Sequence, residues 1–391
     1  MKFIILILTA FCVSSGFTQT QNSNTDYTRW GLPEGAIARL GKGSVTGKIE
    51  FSPDSKMIAI PTSIGIWLYD ADTYKELALL PRDSAYNKRL AFSPNSTILA
   101  SVENSHENII HLWDMSARTS LGKHILSLKD HKTDITSITF SSDGKTLASI
   151  SKDRTTILWN TSTYEVKFAL KGQTKGTSSL TFAPDNNLLA NWSIDGTIEL
   201  WNAKTGNLKH ILNGQPKTSD NKDELISVAF SPDSRMLVSL TNDGTTQTWD
   251  TKTGKHIRTI KGILKRWQPI DNSVSLDMQS IVIIGESHTT SWSVKTGRLQ
   301  WMIKERIHIS PDWSLYATTT QDKIILWDMK TRKQVKTIIY YKSRYQPLVF
   351  SPDSKKLAND MGIWNINTGK HTPINEEHVS TGSSVKFLWR G

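Results

Sequence analysis

The chain of 391 residues holds a single cysteine, Cys12. It lies in the apolar run Phe3 to Val13 of MKFIILILTAFCVSSG, which follows Lys2 and ends in the small residues Ser14 and Gly16. That pattern has the form of a secretory leader cleaved after Gly16, and it is too short and too lightly flanked for a membrane span. Phe11 is a poor neighbour for lipoprotein cleavage, where a small residue is expected before the cysteine. The mature chain would therefore carry no cysteine. It could occupy an oxidising compartment without disulfides and would draw its stability from its core. Export to periplasm, cell surface or medium is the expectation.

Chemical signatures are also sparse. His106 and His111 in HENIIH stand five apart, in a turn and strand, so they do not present two zinc ligands on a helix face. GKGSVTGK (41–48) has glycines at the wrong step for a phosphate loop and no Ser or Thr after its last Lys, and GSVTG has no serine at the nucleophile position. Asp70 and Asp72 follow a strand and do not form a calcium loop. The ten histidines fall at unrelated places. No catalytic residues, no metal and no cofactor are expected, and the chain reads as a non-enzyme.

What the chain has is repetition. Apolar strands run into a Ser-Pro-Asp-like corner at Phe51, Phe92, Phe140, Phe182, Phe230, Ile309 and Phe350, with a worn copy near Val274. Proline suits the second position of such a turn, and the Asp or Asn after it can bond nearby amides. A later strand closes each unit at Trp67, Trp113, Trp159, Trp201, Trp249, Trp292, Trp327 or Trp364, followed by a polar turn and one more strand. Four strands in about 40 to 45 residues make a propeller blade. The fold class is all-β: a single closed propeller of four-stranded blades over residues 36–374. Eight blades are favoured, with AIARL (36–40) as the outer strand of the last blade, and seven blades with one repeat left over are the alternative. Residues 1–16 are the leader, 17–35 a flexible lead-in, and 375–391 a tail that could open a further repeat. The tryptophans are expected in the core between blades.

Trp113-Asp114, Trp249-Asp250 and Trp327-Asp328, with Trp-Asn at 159, 201 and 364, resemble the WD40 family, and the resemblance covers nearly all of the mature chain. It implies an interaction scaffold without catalysis of its own. It also implies a polar network of His, Ser or Thr, Asp and Trp within a blade. The third repeat matches that network through His131, Ser149, Asp153 and Trp159. Elsewhere Gln173 and Gln215 replace His while Asp195, Asp243 and Asp322 keep the carboxylate, so most blades are expected to rely more on packing.

The net charge of +11 is uneven: Lys and Arg number 26 against 25 Asp and Glu over residues 1–254, but 19 against 9 over residues 255–371. A sector of one sign suggests an acidic partner. Within that sector, Arg266 and Trp267 in one loop and Tyr341, Lys342, Arg344 and Tyr345 in another combine basic and aromatic side chains, which suits protein hot spots or stacking on sugars. These six are the candidate binding residues. A protein partner is expected, an anionic glycan or surface polymer is the alternative, and nucleic acid would bind only nonspecifically. A monomer is expected.

Overall fold

Eight consecutive four-stranded antiparallel sheets run from Glu50 to Pro373 in a computed structural model of the chain. The structure describes residues 36–40, 46, 48–73, 75–81, 89–103, 108–117, 121–172, 177–193, 196–213, 225–241, 244–261, 269–275, 279–285, 288–319, 323–339, 348–359, 362–373 and 386–389. The blades are 1 (Glu50–Leu80), 2 (Leu90–Leu128), 3 (Ile135–Lys171), 4 (Thr177–Asn213), 5 (Leu225–Ile260), 6 (Pro269–Ile303), 7 (Ile307–Ile339) and 8 (Val349–Pro373), each a simple meander of first to fourth strand. They form an eight-bladed β-propeller, so the seven-bladed alternative is set aside.

Burial follows strand position. The second strands Met57–Thr62, Thr146–Ser151 and Leu188–Ser193 are buried at every residue, because neighbouring blades cover both faces of the sheet. The fourth strands face water on one side and expose residues such as Ile257 and Val335. Each of the free edges in blades 2, 3, 4, 5 and 7 carries a cation, at Lys123, Lys167, Lys209, Arg258 and Lys336, which discourages edge-to-edge pairing. The tryptophans at 67, 113, 159, 201, 249, 292 and 364 are all at most 7% exposed. They join apolar clusters that bridge blades, such as Trp113 with Leu68 and Leu80 of blade 1, and Trp201 with Ile150 and Leu158 of blade 3.

All eight corners between first and second strands hold five residues, from 52–56 in blade 1 to 351–355 in blade 8. The reason is local bonding. The corner serine donates its hydroxyl to the Asp two residues on and accepts the amide five residues on: Ser52 to Asp54 at 2.6 Å and Met57 N to Ser52 at 2.8 Å, Ser231 to Asp233 at 2.6 Å and Met236 N to Ser231 at 2.9 Å. Blade 6 keeps little of the corner sequence, yet the Ser280 amide still donates to Ser275 Oγ at 2.9 Å.

The fourth corner residue has a positive φ, between 58° and 70° at Ser55, Ser96, Gly144, Asn186, Ser234, Trp313 and Ser354. That conformation turns its side chain towards the preceding blade. The Asp54 amide donates to Ser96 Oγ at 3.1 Å, Asp185 to Ser234 at 3.0 Å, Asp312 to Ser354 at 3.4 Å and Asp353 to Ser55 at 3.0 Å; the longer Asn186 accepts from the Ser142 amide at 2.6 Å. One face of the ring is thus laced from blade to blade. Gly144 has no side chain and Trp313 has no oxygen with which to continue the lace.

Ring closure differs from the sequence expectation. Ala36–Leu40 does not complete the last blade; it pairs with Lys386–Trp389 in a separate two-stranded ribbon, while blade 8 obtains its outer strand from His371–Pro373. The tail after residue 374 therefore supplies a partner for the N-terminal strand and not the start of a ninth blade. Blades 1 and 8 meet through packing, with Ala358 and Ile363 in one cluster with Ile58, Ile60 and Trp67. The buried Lys356 adds polar contacts, its Nζ lying 3.0 Å from Asp72 Oδ1 and 3.3 Å from the Ser55 carbonyl. With the fourth-strand position already filled by residues 371–373, blade 8 is complete without residues 36–40. The leader, 1–16, and the lead-in, 17–35, lie outside the described residues; among those described, no helix is long and apolar enough to cross a membrane.

Candidate interaction surface

The connectivity of a meander puts corners and the turns after the third strand on one face of the ring. Connections between blades, and the turns between second and third strands, lie on the other. The corner face is heavily committed to structure. Besides the lace of corners, fourth-strand side chains reach the turn of the next blade: Lys167 to the Ala203 carbonyl, Lys209 to Thr251, Arg258 to Lys295 and Thr296, and Lys336 to Ile366 and Asn367, at 2.7 to 3.4 Å. Arg258, Lys336 and Lys356 all belong to the basic sector of residues 255–371. Part of that positive charge therefore caps carbonyls between blades.

The opposite face varies. Its inter-blade connections range from three residues (304–306) to eleven (214–224), while the corners are all five residues long. The six candidate binding residues, Arg266, Trp267, Tyr341, Lys342, Arg344 and Tyr345, fall in connections of this face and lie outside the described residues. So do His106, Gln173, Asp195, Gln215, Asp243 and Asp322.

In blade 3 the polar network converges on one hydroxyl. Ser149 Oγ accepts the Trp159 indole N–H at 2.9 Å and lies 2.7 Å from His131 Nε2. Asp153 does not join this trio by a hydrogen bond. Its carboxylate accepts from Ser151 Oγ and from the Thr155 amide, and its own amide donates to Thr133. Burial draws the pKa of His131 down to about 4, against the opposing pull of Asp153 and Asp130. The imidazole is therefore neutral at pH 7, where it serves the core as an uncharged hydrogen-bonding group. The indole arm of the network persists without histidine elsewhere: Trp113 donates to Ser101 at 2.9 Å, Trp201 to Asn191 at 3.2 Å, Trp249 to Ser239 at 3.3 Å and Trp327 to Thr318 at 2.9 Å. Losing the histidine removes one arm, because the register keeps the second-strand acceptor opposite the residue two before the Trp, diagonal to the indole, whatever precedes the blade.

Blade 2 holds a second polar cluster that the sequence pattern does not announce. His111, on the third strand, lies 2.8 Å by Nε2 from Glu103 Oε2, and its Nδ1 lies 3.3 Å from Nε2 of His124 on the fourth strand. Ser127 Oγ is 3.1 Å from both of these ring nitrogens. His124 packs edge-on against Trp113, with ring centroids 5.2 Å apart. Burial, and then His111, lower the pKa of His124 below the usual imidazole value. The signal that brings the two histidines together is strand register, Trp113 opposite His124 and His111 opposite Ser127, which spacing along the chain does not reveal.

The model of the WD domain, G-beta repeat, matches residues 88–114, 122–160, 164–202 and 206–250, which together run from the first strand of blade 2 to the third strand of blade 5. Transducin beta-like protein 3 of Rattus norvegicus is 30% identical over 141 residues, 35% of this chain and 17% of that protein. The Bos taurus protein of the same name is 29% identical over 136 residues, 34% of this chain and 16% of its own length. The chain therefore spans about a sixth of the length of these relatives. In each matched repeat Trp is followed by Asp or Asn and its indole meets a second-strand oxygen, as it does also in blade 7. With the family match over blades 2 to 5 and the same four-stranded meander in all eight blades, the chain is an eight-bladed β-propeller that carries WD40 repeats in blades 2 to 5.

Proposed function

We propose that this propeller is an exported, non-enzymatic scaffold that presents its variable face to a protein partner. The observation that carries this reading is the contrast between the faces. Five-residue corners recur eight times and hydrogen-bond across five of the junctions between blades, whereas connections on the opposite face change in length from three to eleven residues. A rigid frame with variable loops is the usual arrangement for recognition. WD40 repeats generally serve protein interaction, and the leader-like residues 1–16 support export. Fold alone does not fix function, so the loops have to be tested directly.

The test is capture of a partner from the exported fraction by the immobilised chain, with Arg266→Glu and Arg344→Glu introduced together. Loss of capture at unchanged melting temperature supports the loop assignment; capture that survives both charge reversals removes it. The basic excess over residues 255–371 favours one alternative, an anionic polysaccharide or surface polymer. That ligand would retain the chain at low salt and release it steeply as salt rises. No retention at low ionic strength eliminates it.

A further inference from the structure

His111 Nδ1, His124 Nε2 and Ser127 Oγ form a nearly equilateral triangle with edges of 3.3, 3.1 and 3.1 Å. Ligand atoms around a tetrahedral zinc at ~2.0–2.1 Å stand ~3.3–3.4 Å apart, with slightly shorter edges to oxygen. The triangle has the size of one face of such a tetrahedron.

The chemistry of the ring nitrogens agrees with the size. Glu103 Oε2 lies 2.8 Å from His111 Nε2, and a carboxylate there holds the ring proton on Nε2. Nδ1 is left with its lone pair directed away from Glu103, on the side of His124 and Ser127. A carboxylate behind a ligating imidazole is the usual outer support of a histidine metal ligand, since it fixes the tautomer and raises basicity. Glu103 is itself buried, with 9% of its side chain exposed, while the backbone register of the two strands fixes His111 opposite Ser127. His124 is exposed, which gives an ion a path from solvent and room for water to complete its coordination.

The other blades supply an internal comparison. In blade 5 the corresponding places hold Gln247, His256 and Thr259: His256 packs edge-on against Trp249 at 5.1 Å and lies 2.9 Å from Thr259 Oγ1, just as His124 sits between Trp113 and Ser127. In blade 3 they hold Ile157, Val166 and Ala169. A histidine resting on the blade tryptophan is thus a recurring packing device. A second imidazole facing it, backed by a buried carboxylate, occurs in blade 2 and in neither of these blades. Among the described residues no group of three or more His, Cys, Asp or Glu is placed to hold a metal. The blade 2 site differs in that its third ligand atom is a hydroxyl.

We propose that His111 Nδ1, His124 Nε2 and Ser127 Oγ bind a divalent first-row transition ion of the zinc type, with Glu103 as the positioning residue for His111. Nitrogen-rich ligand sets of this kind suit Zn2+, Cu2+ or Ni2+ over Mg2+ or Ca2+.

The test is titration of Zn2+ into the full chain at pH 7.5 by calorimetry, with imidazole 15N shifts followed in parallel. One equivalent should bind, with the shifts confined to His111 Nδ1 and His124 Nε2. His111→Gln, which reproduces the blade 5 arrangement, and His124→Gln should each weaken binding at least tenfold. Glu103→Gln should weaken it ~10–100-fold while leaving both ligating nitrogens in place. His256→Gln should change nothing. Mg2+ at the same concentrations should give no heat and no shift. Absence of a Zn2+ equivalent, binding unchanged in His111→Gln, or shifts at other histidines in the wild-type chain would overturn the proposal. The shifts are read on the unmutated protein, so a variant that fails to fold does not blunt the test.

Discussion

Lys356 Nζ lies 3.0 Å from Asp72 Oδ1, and the two residues belong to the last and first blades of the ring. The lysine is 7% exposed in its side chain and the aspartate 71%, so the ion pair is screened by water on one side. An exposed carboxylate gains little from such a pair, and Asp72→Asn should cost less than about 1 kcal/mol. Lys356→Ala should cost more, about 2 kcal/mol, because it also removes a buried aliphatic stem and the donor to the Ser55 carbonyl. Urea unfolding of the two variants checks the order. Equal losses would mean that closure rests on the ion pair and not on the lysine's packing.

The lace of corners makes a second, sharper expectation. Ser55 accepts the Asp353 amide at 3.0 Å across 298 residues of chain. Ser55→Ala keeps the positive φ and loses the acceptor, so it should cost about 1 kcal/mol. Ser55→Gly also loses the acceptor but relieves the left-handed backbone, and should fall close to the wild type. At the junction between blades 2 and 3, Gly144 has the same conformation at φ 70°, and an added Cβ would meet Pro94 Cδ only at 3.5 Å, an ordinary contact. Gly144→Ser can supply the missing acceptor at a conformational cost that six other corners already bear. It should be neutral within about 0.5 kcal/mol, whereas a glycine moved out of a positive φ usually destabilises. Melting temperatures of the three variants decide.

The corners were legible because their information is local. Ser52 and Asp54 bond within five residues around Pro53, so the repeat, the strand order and the favoured blade count can all be read along the chain. The closure was not legible in the same way. Whether Ala36–Leu40 pairs with blade 8 depends on whether residues 371–373 already occupy that edge, and the short strand at His371–Pro373 leaves little trace in the sequence. The blade 2 cluster was hidden for a related reason. HENIIH draws attention to His106 and His111, yet the partner of His111 is His124, thirteen residues on, brought alongside by a register that shifts between Leu112 and Trp113. As for the candidate interaction surface, length variation in its loops is visible in the sequence, but the placement of Arg266 and Arg344 lies outside the described residues.

Ser149 and Ser101 provide a paired experiment on the tryptophan network. Ser149 serves both Trp159 and His131, while the Trp113 indole is the partner of Ser101. Ser149→Ala would leave an indole N–H and an imidazole nitrogen without this partner in a site closed to water, a loss of about 2–3 kcal/mol. Ser101→Ala strands one indole and should cost about 1–2 kcal/mol. Denaturant unfolding that ranks Ser101→Ala as equal or worse would show that the histidine arm adds nothing.

Acid should loosen the ring in two stages, and the sign of each follows from the direction of the shift. His131 and His308 both have folded pKa values lowered from 6.5 to about 4, chiefly by burial, with Arg306 adding to the effect at His308. Between those values the unfolded chain takes up protons that the folded chain refuses, so stability falls as pH drops from about 6.5 to about 4. For His131 the loss is at most about 3 kcal/mol. The second stage belongs to the corners. Desolvation alone would raise the Asp312 pKa, but hydrogen bonds from Ser310, the Ser314 amide and hydroxyl, and Ser354 outweigh it and bring the carboxyl from 3.8 to about 2. Stability from this group is complete above 3.8 and is lost as pH falls from there towards 2. His131→Gln removes a titrating group while keeping an amide that can reach Ser149. Its unfolding free energy should therefore depend less steeply on pH between 6.5 and 4 than that of the wild type, with the two curves parallel below pH 4. Parallel curves across the whole range would mean that protonation of His131 does not oppose folding, and that its bond to Ser149 survives the charge.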